Sequence, residues 1–401
     1  MSRLSRAGLL AVLALAACTD AVPLPTIAAP DAASANRAAP TDRETASVRW
    51  SAMTRDISVR RGANPLVASR LFALVSVAMY DAAIAAEDAK SRGEHPSVAA
   101  AVASASATVL RGLYPVEGAA IDAQLLADAQ YFPPMPSERD ADWALGVPVG
   151  NAVGLAVLAH GAADGVGAVW GGTLPVGPAF WFPAPGIPPI APQWGGIHAW
   201  FLTSNDQFRP PPPPAFNSPA FLTDLAEVAA ISDTRTPQQL QTAQYWASGP
   251  GAVVAHFASA LASGLVNGEH LDERKAARVF ALMHTAQMDA SIACWDAKYT
   301  YSFPRPSQAN PAITTPVGLP NHPSYPSGHS CFTSASLSVL SSFFPSDAGS
   351  LDAMIVEAGE ARIYGGIHYR FDVLAGRELG RAVAAFVLKS APDAHSPIPL
   401  N

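Results

Sequence analysis

Charge and cysteine are both scarce in this sequence. Asp, Glu, Lys and Arg make up 14% of 401 residues, the formal net charge is -7, and there are 3 cysteines. No Lys/Arg block is present that could track a phosphate backbone, so the acidic balance excludes nucleic acid as a partner. The cysteines are too few and too far apart for a cysteine-based metal site. Sustained period-2 alternation is scarce too, which excludes a sheet-based fold. No long apolar run reads as a membrane-spanning helix.

What is present is apolar helix. Apolar residues make up 49% of the chain, enough to bury a large core in one domain or two closely joined ones. In Pro65–Asp88, Leu66, Leu71, Leu74, Val75, Ala78 and Met79 recur at three- and four-residue spacing with small residues between, which marks a close-packed helix. Further helices are expected at about 96–113, 118–130, 137–165, 218–231, 236–248, 252–266, 271–296, 327–344, 348–362 and 367–391. The expected fold is therefore all-α, a helical bundle spanning residues 46–401. Residues 166–216 differ. They are dense in Gly and Pro, include Pro210–Pro214, and carry Trp170, Trp181, Phe182, Trp194 and Trp200. Such a loop is either a lid shaping access to a pocket or a surface wrap.

The N-terminus carries Arg3 and Arg6, an apolar run from Ala7 to Ala17, and then Leu15-Ala16-Ala17-Cys18. A charged start, a short apolar core and small residues before a cut describe an export signal over residues 1–18. It resembles a bacterial lipoprotein signal, in which Cys18 becomes the lipidated first residue; an ordinary signal cut nearby would leave Cys18 without a role. Thr19 and Asp20 lack the aspartate-at-second-position pattern of inner-membrane retention. The expectation is an exported protein anchored by lipid alone, in the outer membrane facing the periplasm. Residues 19–45, rich in Ala, Pro, Asp and Thr, read as a disordered tether. Cys294 and Cys331 each lie within four residues of a candidate site residue. In an exported protein they form a disulfide or remain buried thiols, and both stand open.

Three segments carry the chemistry. In the first, six residues separate Lys298 from Arg305, and Pro304 and Pro306 flank the arginine so that the chain leaves the helix there. In the second, Pro326-Ser327-Gly328-His329 precedes an apolar helix. Backbone N–H groups at such a start favour an anion, Gly328 permits close approach, and Ser327 can donate its hydroxyl. In the third, Arg362 is followed by His368 and Asp372; the carboxylate can hold Nδ1–H of His368 and leave Nε2 free as ligand or nucleophile. Lys298, Arg305 and Arg362 would cancel an oxyanion's charge, and the arginine forks would fix its geometry. His329 is the candidate acid–base group. His198 and His322 are candidates to line a halide or substrate pocket, with His322 at its rim.

These segments resemble the superfamily that joins type 2 phosphatidic-acid phosphatases, bacterial acid phosphatases and vanadium-dependent haloperoxidases. The sole departure from its pattern is Ala361, where the family has serine before the last arginine. The resemblance is closer to bacterial haloperoxidases in Lys-Tyr-Thr-Tyr, in Tyr-Pro-Ser-Gly-His-Ser, in Ile-Tyr-Gly-Gly-Ile-His and in His-Tyr-Arg-Phe-Asp. Met79-Tyr80-Asp81-Ala82, the Pro/Trp-rich middle and the helix of Trp246 extend it over roughly residues 50–390, with the catalytic core at 290–380.

The resemblance implies vanadate bonded to Nε2 of His368. Lys298, Arg305 and Arg362 would neutralise its oxygens, Ser327 and the Gly328 N–H would donate to them, and Asp372 would orient His368. His329 would move protons as hydrogen peroxide is taken up, and Lys298 would polarise the oxidant for attack by halide or a small organic acceptor. Homo-oligomers occur among such relatives. The same residues also suit an acid phosphatase that needs no cofactor, in which His368 attacks a phosphate ester to give a phosphohistidine. The absence of an evident membrane span argues against an integral lipid-phosphate phosphatase. A lipid-anchored oxyanion-binding protein without turnover is the third reading.

Overall fold

A computed structural model describes residues 44–132 and 141–400. The expected export signal, Cys18 and the tether as far as residue 43 lie outside the described residues. Glu44 and Thr45, expected at the end of the tether, belong to the folded body. The backbone N–H of Glu44 donates to the Tyr131 hydroxyl at 3.0 Å. Thr45 caps a first helix, α1 (Ala46–Arg60), by accepting from the backbone N–H of Val48. This helix is absent from the sequence expectation because serine, threonine and arginine break its apolar period. It is buried nonetheless, through Trp50, Ile57, Ser51 and Thr54.

The remaining α-helices are α2 (Pro65–Ser91), α3 (Val98–Leu113), α4 (Gly118–Tyr131), α5 (Trp143–Ala163), α6 (Pro219–Thr234), α7 (Pro237–Ser248), α8 (Val254–Gly268), α9 (Glu273–Tyr301), α10 (Pro306–Ala309), α11 (Gly328–Phe343), α12 (Ala348–Tyr364) and α13 (Arg370–Ser390), with short 3-10 turns at Pro115–Glu117, Pro192–Gly196 and Pro345–Asp347. No strand forms among the described residues; the one β-type pairing is an isolated bridge between Pro96 and Asp142. The all-α expectation holds. Each helix expected from periodicity is present, with its ends shifted by a few residues; the expected start of the 137–165 helix, at 137–140, lies outside the described residues.

Helix α9 is the axis. It is buried along nearly all of its length and packs on α2 at one side and on α11 and α13 towards its C-terminal half. Its last turn runs five residues past the expected end at 296, so Lys298 sits on the helix rather than in the following loop. Helices α11 and α13 approach closely because Gly376 and Gly380 face α11. A Cβ at 376 would fall 2.6 Å from the Ser327 carbonyl oxygen, and one at 380 would fall 2.3 Å from that of Cys331. Glycine there lets α13 lie directly on the backbone that presents Ser327.

Two helices, α2 and α5, are long and apolar enough to cross a membrane by length and composition, contrary to the expectation of no such run. In α2 that surface is spent inside the protein, where 89% of the apolar window is buried; in α5 the figure is 28%.

The 166–216 segment wraps α9 and also borders the site. Trp194 Nε1 donates to Ser291 at 2.8 Å, and Arg209 binds Asp296 through two bonds of 2.6 and 2.8 Å. Ile190 O accepts from Trp295 Nε1 and from the Tyr299 hydroxyl, and Asn321 bonds to Ala184, Ile187 and Pro188. The deepest tie is Asp289, fully buried on α9, which accepts the backbone N–H groups of Trp200 and Phe201 at 2.8 Å each. Buried donors left without a partner cost about 1–3 kcal/mol each. Asp289→Ala is therefore expected to lower stability by about 3 kcal/mol in urea unfolding and to open residues 166–216 to limited proteolysis. Unchanged stability together with an unchanged cleavage pattern would refute the tie.

Candidate active site

The ends of α9, α11, α12 and α13 converge on His368. Lys298 lies in the last turn of α9, Arg305 is the residue before α10, Ser327 caps α11, Arg362 lies in the last turn of α12, and Asp372 lies in the first turn of α13. Lys298, Arg305, Ser327 and Asp372 are fully buried, and Arg362 and His368 nearly so.

His368 sits two residues before α13 instead of opening it, as was expected. The pairing with Asp372 survives the shift. Nδ1 meets Asp372 Oδ2 at 2.8 Å, and the same oxygen accepts from the Tyr369 N–H at 3.2 Å and from the Ser324 hydroxyl at 2.5 Å. The carboxylate thus fixes the imidazole and caps the helix in one arrangement. Nε2 of His368 faces Arg305 Nη1 at 3.0 Å. Ser327 is anchored to the same unit, its N–H donating to the Asp372 carbonyl at 2.9 Å.

The three cations differ in how their donors are spent. Lys298 Nζ donates to the carbonyls of Pro323 (2.9 Å), Ser324 (2.8 Å) and Pro326, which uses all three of its protons. Arg305 donates to Ile367 O at 2.7 Å and to His322 O at 3.0 and 3.1 Å, besides facing the His322 and His368 rings. Arg362 gives one bond, to Trp246 O at 3.0 Å, and its Nε is buried without a partner. Nε2 of His329 is also buried without a partner.

Electrostatics follow from burial. It pushes His368 well below the usual imidazole value, helped by Arg305, Lys298 and Arg362. Burial and Arg362 do the same to His329, and burial with Lys298 and Arg305 to His322. Lys298 is lowered to about 8 by burial, and Asp372 is raised to about 6 by burial against the opposing Ser324 hydrogen bond and Lys298. Both arginines are pressed down by burial yet stay charged at neutral pH. Three cations and one carboxylate therefore surround three neutral histidines.

An oxyanion such as vanadate or phosphate fits this donor set. Two buried polar atoms, Arg362 Nε and His329 Nε2, lack protein partners, and the Ser327 hydroxyl stands at a helix start. At Gly328 a Cβ would sit 3.4 Å from the Trp295 ring, an ordinary contact, so packing inside the chain does not itself demand glycine there.

Of the two further histidines, His322 joins the site. It bonds Arg305 and its ring lies 4.9 Å from that of Trp295. His198 is exposed and is not brought to the pocket. Ser324 and the Trp246 carbonyl were not singled out from the sequence; no motif marks a lone serine or a backbone carbonyl. Arg370, within the His-Tyr-Arg-Phe-Asp run, points away and binds Glu227 and Glu360. Ala361 packs with Trp246 and Ala358. Cys294 and Cys331 are buried free thiols that interact with each other, Cys294 also lying 3.9 Å from the Pro326 carbonyl.

Comparison with known proteins bears on the fold. No curated protein matches the chain significantly. A crystal structure of a bacterial vanadium-dependent iodoperoxidase superposes with a TM-score of 0.69 at 24% identity, covering 86% of this chain and 95% of that one. Apo and holo forms of a bacterial vanadium-dependent chloroperoxidase give TM-scores of 0.66 and 0.65 at 16% identity, covering 82% of this chain and 94% and 93% of theirs. Residues 276–396, which hold Lys298, Arg305, Ser327, Gly328, His329, Arg362, His368 and Asp372, match the family model of the PAP2 superfamily, and over the 82–86% of the chain that aligns the fold is that of the bacterial vanadium haloperoxidases.

Proposed function

We propose that this chain is a vanadate-dependent haloperoxidase that uses hydrogen peroxide to oxidise halide to hypohalous acid. The observation that carries the proposal is the donor set around His368: three buried cations against one carboxylate, with Arg362 Nε and His329 Nε2 unpartnered, on a fold shared with vanadium haloperoxidases. When bound, vanadate supplies the electrophilic activation of hydrogen peroxide towards halide. The chain's residues do the rest. Asp372 holds the Nδ1 proton of His368, so that the Nε2 lone pair is presented for bonding. Arg305, which now faces that lone pair, turns its charge to the anion's oxygens, where Arg362 and Ser327 also donate. His329, neutral at working pH, takes a proton from incoming peroxide at Nε2. Lys298 adds the third positive charge.

Export and a lipid anchor at Cys18 belong to the same proposal and rest on the leader sequence. The phosphatase alternative uses the same atoms, with Nε2 of His368 as nucleophile and His329 as acid.

Protein lacking residues 1–18, assayed with and without orthovanadate, distinguishes the two. Vanadate-dependent oxidation of iodide or bromide by peroxide is expected, with little hydrolysis of p-nitrophenyl phosphate. Hydrolysis inhibited by vanadate, with no halide oxidation, would overturn the proposal in favour of the phosphatase. His368→Ala is expected to abolish the activity observed.

The pH dependence of anion binding follows from two groups. Above about 8 the Lys298 ammonium is lost, and below about 6 Asp372 takes a proton and no longer holds His368 as a carboxylate. Orthovanadate affinity, measured by calorimetry, is expected to peak between these values. Lys298→Met should weaken binding and flatten the alkaline limb; a limb unchanged in that variant would assign it to another group.

A further inference from the structure

The middle segment of the site holds a residue that its motif does not mark. Ser324 stands between α10 and α11 and is fully buried. Each of its three polar groups reaches a different part of the site. Its N–H donates at 3.0 Å to the carbonyl of Phe303, which leads into Arg305. Its carbonyl accepts from Lys298 Nζ at 2.8 Å. Its hydroxyl donates to Asp372 Oδ2 at 2.5 Å.

The bonds at Asp372 are unevenly shared between its two oxygens. Oδ2 takes His368 Nδ1 at 2.8 Å, the Tyr369 N–H at 3.2 Å and the Ser324 hydroxyl, while Oδ1 is buried without a partner. His368 and Tyr369 belong to the turn that enters α13 and form one local unit with Asp372. Only Ser324 comes from another segment. Main-chain bonds fix the backbone around that unit, from the Ser327 N–H to the Asp372 carbonyl at 2.9 Å and from Arg305 Nη1 to Ile367 O at 2.7 Å. They do not reach the carboxylate, whose last bond is a soft, two-fold torsion. A hydroxyl donating to a carboxylate oxygen makes a strong and directional bond, and it removes that freedom. It does so without charge, so three cations still stand against one carboxylate.

We propose that Ser324 is a positioning residue for His368. Its hydroxyl registers the Asp372 carboxylate against the segment that cages Lys298, and so aims Nε2 of His368 into the oxyanion pocket. One residue thereby sets the ring that would bond the anion and one of the cations that would neutralise it in a common frame. The inference rests on His368 bonding the anion, as in the proposed function, but the order of the ring is readable with no anion present.

Ser324→Ala tests it cleanly, because the main-chain bonds to Phe303 and Lys298 remain and the hydroxyl alone is lost. Orthovanadate affinity, measured by calorimetry, should fall about tenfold, the scale of losing a partner behind a ligand. In an Asp372→Ala background the same change should have no further effect, since residues acting through one another are not additive. Ser324→Thr restores the hydroxyl and Ser324→Val has the same shape without it. Thr should bind orthovanadate more tightly than Val, whatever either costs in packing. In anion-free, 15N-histidine-labelled protein, the ring resonances of His368, assigned by His368→Gln, should be sharp and should broaden in Ser324→Ala. A folded Ser324→Ala with unchanged affinity and sharp His368 resonances would overturn the proposal. So would a loss that adds in full to that of Asp372→Ala, or equal binding by the Thr and Val variants. Broadening of His368 in a protein that binds no orthovanadate would support the positioning while defeating the function proposed above.

Discussion

Three positive charges are buried in one helical core, and much of the site's architecture serves to make that tolerable. Removing a charge from water costs several kcal/mol unless other dipoles replace the lost hydration. Helices cannot supply those dipoles from their interiors, because their carbonyls are already bonded. The irregular segments at the helix ends supply them: Pro323, Ser324 and Pro326 for Lys298, His322 and Ile367 for Arg305, and Trp246 for Arg362. Proline suits such segments because it brings a carbonyl without an N–H and resists helix. The Pro-rich stretch between α10 and α11 is thus a solvation shell built from backbone. Carbonyl dipoles stabilise cations but do not cancel their charge, and Asp372, which pairs with His368, is the one carboxylate of the described site. The excess favours an anion.

That balance also explains which parts of the molecule could be seen in the sequence. Helices with an apolar period, α2 and α3 among them, were legible because burial of one face is written into their spacing. Helix α1 was not, since its buried face includes Ser47, Ser51, Thr54 and Ser58 and is held by specific partners, Asp128 with Trp50 and Ser259 with Ser51. The charged and hydroxyl members of the site were legible because oxyanion chemistry requires those residue types in a recognisable order. Contributions made through the main chain were invisible. The carbonyls that hold Lys298, Arg305 and Arg362 could belong to any residue, so no motif announces them. His322 falls between the cases: its ring stood out only as a rim candidate, while its carbonyl and ring together bind Arg305. The leader and Cys18 remain a matter of sequence alone.

The 166–216 segment shows a related economy. Its backbone, rich in proline, has few helical or sheet partners, so its polar groups are met by side chains on α9 and on the neighbouring turns. Asp289, Ser291 and Asp296 are spaced along α9 and receive Trp200, Trp194 and Arg209, and Asn321, beside His322, donates to the carbonyls of Ile187 and Pro188. The loop therefore inherits its position from the helix that carries Lys298. Differences in its sequence could alter access to the pocket without disturbing the cations beneath.

The depressed basicity of the histidines completes the argument. His368 and His329 are held neutral by burial and by the cations around them. Surrounded by these cations alone, both are poor bases, because a further positive charge would be added beside three others. An anion at the centre reverses the sign of that effect. Once its charge offsets Lys298, Arg305 and Arg362, a proton arriving on His329 is attracted where it was previously repelled, and the basicity of the ring rises. Under the proposed function, the pocket would thus withhold acid–base capacity until the oxyanion is in place.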